Sequence, residues 1–215
     1  NVDREHLDFY KSYSNLKSKI KKYIINQIKN DVKIFLNNDD YYLSSLKKYS
    51  NDIKTFGSNN KANYSYKIKK LTYKKSSFDI FKGKKILKKN LSSNLLGEHN
   101  VLNLTAVFSI LDNLGFKIKK SHLMNFKGTK RRMNILGKLK KTLFIDDYAH
   151  HPTEIEKLID ISLLYKKKHI YIVLEPHRYT RLNDLYEEYL SVLKNIKNLI
   201  ILKTYEAGEN YKKGM

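Results

Sequence analysis

Three short apolar runs of β type, each breaking off into a cluster of ionisable groups, constrain this chain more than any other feature. Residues 143–155, LFIDDYAHHPTEI, turn into Asp146, Asp147, His150 and His151. Residues 170–181, IYIVLEPHRYTR, turn into Glu175, His177, Arg178 and Arg181, and residues 199–209, LIILKTYEAGE, repeat the plan. Helical patterns over 152–164 and 182–196 separate the runs, and Pro152 sits where a first helical turn tolerates proline. Strand, helix, strand, helix, strand predicts a parallel sheet. Strands of one direction deliver their following loops to one crevice, so a site is expected at the carboxyl edge.

The rest of the chain reads as a different kind of unit. Apolar spacing at Leu16, Ile20, Tyr23, Ile24 and Ile28 predicts an amphipathic helix over 13–28. Short strands are expected at 32–36 and 53–56, with a helical stretch at 42–46 between them. Residues 62–90 alternate weakly and are rich in Lys, which predicts a solvated antiparallel flank. A clear helix follows over 99–114, stopped by Gly115, and a short one over 122–126. GTKRR at 128–132 is the expected boundary between the two units.

Composition narrows the function classes. The formal charge is +22, but only five of the 43 basic residues are Arg, and the Lys are spread along the whole length. That spread is a compositional bias more than a patch for a polyanion. Four of the five Arg (Arg131, Arg132, Arg178 and Arg181) fall in two short stretches, where a planar fork that grips carboxylate or phosphate is what Lys cannot copy. There is no Cys, which excludes thiolate chemistry and disulfides. No apolar run approaches the roughly 20 residues that span a bilayer, and no signal-peptide pattern is seen. The chain opens without Met and stops after a strand and its polar loop, which reads as a piece of something longer.

On chemistry alone, Asp147, His150, His177, Arg178 and Arg181 can meet at one sheet edge. Carboxylate, imidazole and guanidinium together suit the positioning of phosphates and of a carboxylate substrate. Two readings compete. The DDxxHH arrangement could hold a divalent metal, although adjacent histidines point in different directions and rarely share one ion. Polar loops that only cap helices would account for Asp147 or Thr153, and poorly for the paired Arg.

The strings GEHNVLN (97–103), GTKRRMNILG (128–137), DDYAHHPTEI (146–155), EPHRYTRLNDLY (175–186) and YEAGE (205–209) resemble the Mur ligases in order and spacing. Within that family they are most similar to the members that add L-alanine to UDP-N-acetylmuramate. The opening NVDREHLD is similar to the family's central-domain segment carrying a metal-binding histidine. The resemblance covers nearly the whole chain and is weakest over 61–90.

The resemblance implies an α/β chain: the later half of an ATP-binding central domain (1–128), then a partial Rossmann-like parallel-sheet C-terminal domain (129–215). It implies a bacterial, cytoplasmic enzyme of cell-wall precursor synthesis, using ATP with Mg2+ or Mn2+. ATP would phosphorylate the lactyl carboxylate of UDP-N-acetylmuramate, and the amine of L-alanine would attack the acyl phosphate. His6 would be a metal ligand. Asn100 and Asn103 would face the nucleotide base or sugar, with a helix cap as an equal and compatible reading of Asn100. Arg132 would meet phosphate and Asp147 ribose or metal-bound water. Tyr148, His150, His177, Arg178 and Arg181 would hold the muramyl carboxylate and the alanine, and His99 and His151 would orient neighbours. Neither the family's UDP-binding domain nor a GxxxxGK[ST] phosphate loop occurs in these residues, so the 215 residues alone are expected to make no product. Competing expectations are a related muramyl-peptide ligase, a non-catalytic remnant, and a Lys-rich nucleic-acid-binding protein, which would need a basic, aromatic-bearing face.

Overall fold

The computed structural model describes residues 1–210, and their packing separates two units. Residues 1–3 and 12–127 form the first; residues 4–11, which include the short helix α1 (Leu7–Tyr10), join the chain from Gly128 onward in the second.

In the first unit α2 (Tyr13–Lys29) starts at Ser12, whose hydroxyl accepts the Asn15 N–H at 3.1 Å. Such a cap satisfies one of the free N–H groups of a first helical turn. Leu16 and Ile24 are its buried residues, and Ile24 packs with Leu36, Leu46 and Ile53. These three come from β1 (Phe35–Asn37), from the 3-10 turn Leu46–Tyr49 that follows α3 (Tyr41–Ser45), and from the residue just before β2 (Lys54–Gly57). The sheet continues through β3 (Tyr64–Leu71), β4 (Ser76–Lys82) and β5 (Lys85–Ser93) in the order β1-β2-β3-β4-β5. Its first three strands are parallel and its last three antiparallel.

The Lys-rich stretch is antiparallel as expected, and it is not a solvated flank. Tyr66, Phe78, Ile80 and Leu91 form the main core of the unit with Val101, Leu104 and Phe108 of α4 (Glu98–Asn113) and Leu123 of α5 (Lys120–Asn125). Side chains alternate across a strand, so Tyr64 and Tyr66 are buried while Lys67 and Lys69 are exposed. The single acid buried on β4, Asp79, meets Lys69 Nζ at 3.2 Å and accepts the Asn90 N–H at 2.6 Å.

α4 ends as its sequence predicts. Gly115 takes φ 79°, its N–H reaches the Asp112 carbonyl at 3.1 Å, and the Phe116 N–H reaches the Leu111 carbonyl at 2.8 Å. That pair of bonds closes the last carbonyls of the helix around a left-handed glycine. At the other end, Asn100 is not the cap. Gly97 takes that position, and the Asn100 amide donates backwards to the Leu96 carbonyl at 2.7 Å.

In the second unit β6 (Asn134–Leu139) and β7 (Thr142–Asp146) form an antiparallel hairpin. α6 (Pro152–Leu163) leads to β8 (Ile172–Leu174), α7 (Tyr179–Asp184) and α8 (Tyr186–Leu193) to β9 (Leu199–Ile201). Ile155, Leu174, Leu185 and Tyr189 make the core. The three-stranded parallel sheet read from the sequence is corrected here: β8 and β9 are parallel, with a further bridge between His177 and Tyr205, but among the described residues β7 pairs only with β6. The turn residue Lys140 adopts φ 52°, which lets residues 134–139 fold back and take the ladder of β7. The single helix expected over 182–196 is two, broken at Leu185, whose side chain is buried in the core.

Candidate functional site

The ends of β7, β8 and β9 are joined by rings rather than by a continuous ladder. Tyr148 lies 4.9 Å from His150 and 6.2 Å from His177, centroid to centroid; His150 lies 5.3 Å from His177, and His177 4.8 Å from Tyr205. The Tyr189 hydroxyl donates to the His150 carbonyl from α8. The Arg131 guanidinium stands over the Tyr148 ring, 4.6 Å from its centroid, a favourable cation–π placement.

Both central imidazoles are held towards their neutral form. Burial is the largest cause for His150 and for His177, and the Arg181 charge adds to it in each case. His150 Nδ1 sits 2.9 Å from the Tyr148 carbonyl. A neutral ring that donates there keeps Nε2 as an acceptor. His177 Nδ1 is buried with no hydrogen-bond partner. Because the folded state disfavours both protonated rings, the unfolded chain takes up these protons first as pH falls. Stability of this unit is therefore expected to be full above the ordinary histidine value of about 6.5 and to decline below it. Thermal melts between about pH 7.5 and about pH 5.5 should show that decline, and a His150→Gln, His177→Gln variant should flatten it.

The two arginines of this edge face acids. Arg178 donates Nε to Glu209 at 2.7 Å and Nη2 to Asp8 at 2.9 Å, and its Nη1 lies 3.5 Å from His6 Nδ1. Arg181 donates Nε and Nη2 to Glu5, at 3.1 and 2.7 Å to the same oxygen, and Nη1 to the His177 carbonyl at 2.8 Å. Burial alone would raise the Glu5, Asp8 and Glu209 carboxyls. The Arg181 hydrogen bond and charge (for Glu5), those of Arg178 (for Asp8), and hydrogen bonds from Thr180 and Arg178 (for Glu209) hold all three below the usual carboxylate range.

Asp147 accepts the Met133 and Ala149 N–H groups, one on each oxygen, both at 2.8 Å, which ties the residue after Arg132 to the end of β7. Arg132 itself is half exposed and reaches Glu154 at 3.3 Å. His151 caps α6: its Nδ1 accepts the Thr153 N–H at 3.3 Å, while the Glu154 carboxylate receives the His150 and His151 N–H groups. The orienting role expected for His151 is thus a helix cap.

Tyr148, His150, His177, Arg178, Arg181 and His6 are therefore in one neighbourhood of the second unit. Asn100 and Asn103 belong to the first unit, on one face of α4 by their spacing of three. The acids Glu5, Asp8 and Glu209 were not singled out in the sequence. Their signal was there: Glu5 and Asp8 are three apart, as are Arg178 and Arg181.

As a metal centre the neighbourhood is poor. Among the described residues no group of three or more His, Asp or Glu could hold an ion. His6 is a single, largely exposed imidazole, and a guanidinium nitrogen of Arg178 lies 3.5 Å from its Nδ1. These residues do not by themselves fit a divalent cation. Among the described residues no helix is long and apolar enough to cross a membrane.

Residues 1–111 match the Mur ligase middle domain, and residues 131–214 match the Mur ligase, glutamate ligase domain. The chain belongs to the Mur ligase family. It is 33% identical over 211 residues to the UDP-N-acetylmuramate--L-alanine ligase of Carboxydothermus hydrogenoformans, covering 97% of this chain and 45% of that protein. The same-named protein of Pelagibacter ubique is 37% identical over 226 residues, covering 100% and 48%. The Mur ligase chain described here spans about half the length of the curated relatives it matches. Among solved structures, the UDP-N-acetylmuramate-alanine ligase of Thermotoga maritima superposes with a TM-score of 0.73 at 24% identity, over 95% of this chain and 45% of that one. The MurF ligase of Thermotoga maritima in complex with ADP superposes with a TM-score of 0.75 at 20% identity, over 94% and 47%. These likenesses establish the mixed α/β fold.

Proposed function

We propose that this chain is part of a ligase that uses ATP to join L-alanine to the lactyl carboxylate of UDP-N-acetylmuramate, in the cytoplasm of a bacterium. Residues 1–128 would be the later half of the ATP-binding domain and 129–215 the first part of the C-terminal domain. The observation that carries the reading is the grouping of His150, His177 and Arg178 at adjoining loop ends in a Mur ligase chain. The substrate carboxylate attacks the terminal phosphorus of ATP, ADP leaves, and an acyl phosphate forms. The alanine nitrogen then adds to the acyl carbon and phosphate departs with the carboxylate oxygen.

Each residue has a part in that chemistry. Arg178 supplies charge-assisted donors to the anionic acyl group, where hydrogen bonds to a developing oxyanion act most strongly. His150, neutral and with Nε2 as acceptor, accepts a hydrogen bond from the alanine nitrogen and aims it at the acyl carbon, and the alanine attacks as the free amine. Tyr148 and His177 wall the acyl group. Arg132 meets a nucleotide phosphate, and Asp147 orders the loop beside it and faces the ribose. Asn100 and Asn103 present amides to the nucleotide. Mg2+ or Mn2+ would use His6 only together with ligands from outside the described residues.

The test replaces the matching half of the Carboxydothermus hydrogenoformans relative with these 215 residues. Phosphate release is expected to require ATP, UDP-N-acetylmuramate and L-alanine together. Release that ignores L-alanine, or that answers to a tripeptide in its place, would overturn the assignment.

A further inference from the structure

We infer that Glu5 is a positioning residue, and that Arg181 is its anchor rather than a clamp on a substrate carboxylate. The role given to His6 and Arg178 in this inference rests on the ligase reading; the pairing itself does not.

The two arginines of PHRYTR are not equivalent. The Arg181 side chain is 8% exposed, and each of its three nitrogens has a protein acceptor, two on Glu5 and one on the His177 carbonyl. A substrate carboxylate could take this fork only by displacing Glu5, and a part-buried carboxylate left without its partner is costly. Arg178 is more open, and among the described residues its Nη1 has only the long contact with His6. One fork is closed and structural; the other has a face to offer.

The pairing has the geometry of a two-rung latch. Glu5 meets Arg181 and, three residues on, Asp8 meets Arg178, three residues back along the other strand of the latch. Arg4 adds a contact at 2.9 Å to Glu188 of α8, and His151 Nε2 lies 3.3 Å from the Arg4 carbonyl. Between the rungs His6 takes the left-handed region at φ 55° and ψ 36°, and at one rung Arg178 has φ 73° and ψ 129°, a pair that a residue with a Cβ rarely adopts. The Glu5 pair anchors the residue next to His6, whose carbonyl accepts the Phe9 and Tyr10 N–H groups. Loss of the Glu5 charge should leave the fold intact while His6 and the open face of Arg178 lose their setting.

Two measurements separate the possibilities. The first uses the 215-residue chain and follows tryptic cleavage after Lys11, at the exposed end of the latched segment. Glu5→Gln and Arg181→Lys should each speed cleavage about tenfold or more, the double variant no further, and Glu5→Asp should fall between. Unchanged cleavage in both single variants would overturn the latch, whatever the reaction is. The second uses the ligase assembled as above. Glu5→Gln and Arg181→Lys should lower kcat by a similar factor with KM for UDP-N-acetylmuramate and L-alanine unmoved, and Glu5→Asp should restore part of it. A raised KM in Arg181→Lys, with Glu5→Gln near the parent, would make Arg181 a substrate clamp and end the inference. An inactive assembly counts against the ligase reading alone, because the cleavage result still decides the pairing.

Discussion

Replacing Arg178 by Ala in the assembled ligase is expected to lower kcat/KM by roughly two to three orders of magnitude. Among the described residues of the second unit, Arg178 combines two carboxylate anchors with a third nitrogen that carries only a 3.5 Å contact. Glu209 and Asp8 fix its plane, so its remaining donors are aimed before any substrate arrives, and donors placed in advance cost no reorganisation when charge develops. Arg178→Lys should recover little of the loss, because a lysine keeps the charge and loses the fork that lets one side chain hold both acids. A loss below about tenfold in Arg178→Ala would remove Arg178 from the reacting groups.

The largest effect on stability is expected from Phe78→Ala in the first unit, a loss of about 3–5 kcal/mol. Phe78 is fully buried, and it sits between Ile80, Leu91 and the α4 residues Val101 and Phe108. The ring cannot be replaced by movement of its neighbours, since β4 is hydrogen-bonded on both sides, to β3 and to β5. Thermal or urea unfolding followed through a probe in the first unit measures it. A change under about 1 kcal/mol would mean that the sheet's buried face is not packed as described.

Why Phe78 matters is also why the sequence understated it. The 62–90 stretch carries so many lysines that its two-residue alternation is masked, and it reads as a solvated flank. Yet along β3 Lys67 and Lys69 are exposed, while Tyr64, Tyr66, Phe78 and Ile80 are buried. Long, strongly periodic elements were legible: α2, α4 with its Gly115 stop, and α6 with Pro152 in its first turn all lie within a residue or two of their expected bounds. Pairing was less legible. Nothing local in NILGKL announces that it will take the ladder of β7, because strand pairing is decided by a turn and by partners distant in sequence.

The candidate site shows the same division. The strings around Asp146 and Arg178 marked loops expected to meet, and the structure brings Tyr148, His150 and His177 within ring contact. What the sequence could not supply was the partner of each charge. Glu5 and Arg181 are separated by 176 positions, and only the folded chain shows that the acid ahead of His6 occupies the second arginine of PHRYTR.

Whether the reaction passes through an acyl phosphate formed on the lactyl carboxylate is decided by an isotope. UDP-N-acetylmuramate labelled with heavy oxygen in that carboxylate is turned over by the assembled ligase with ATP and L-alanine, and the released phosphate is weighed by mass spectrometry. One heavy oxygen per phosphate is the predicted result; phosphate carrying none, with the amide product formed, would contradict the account.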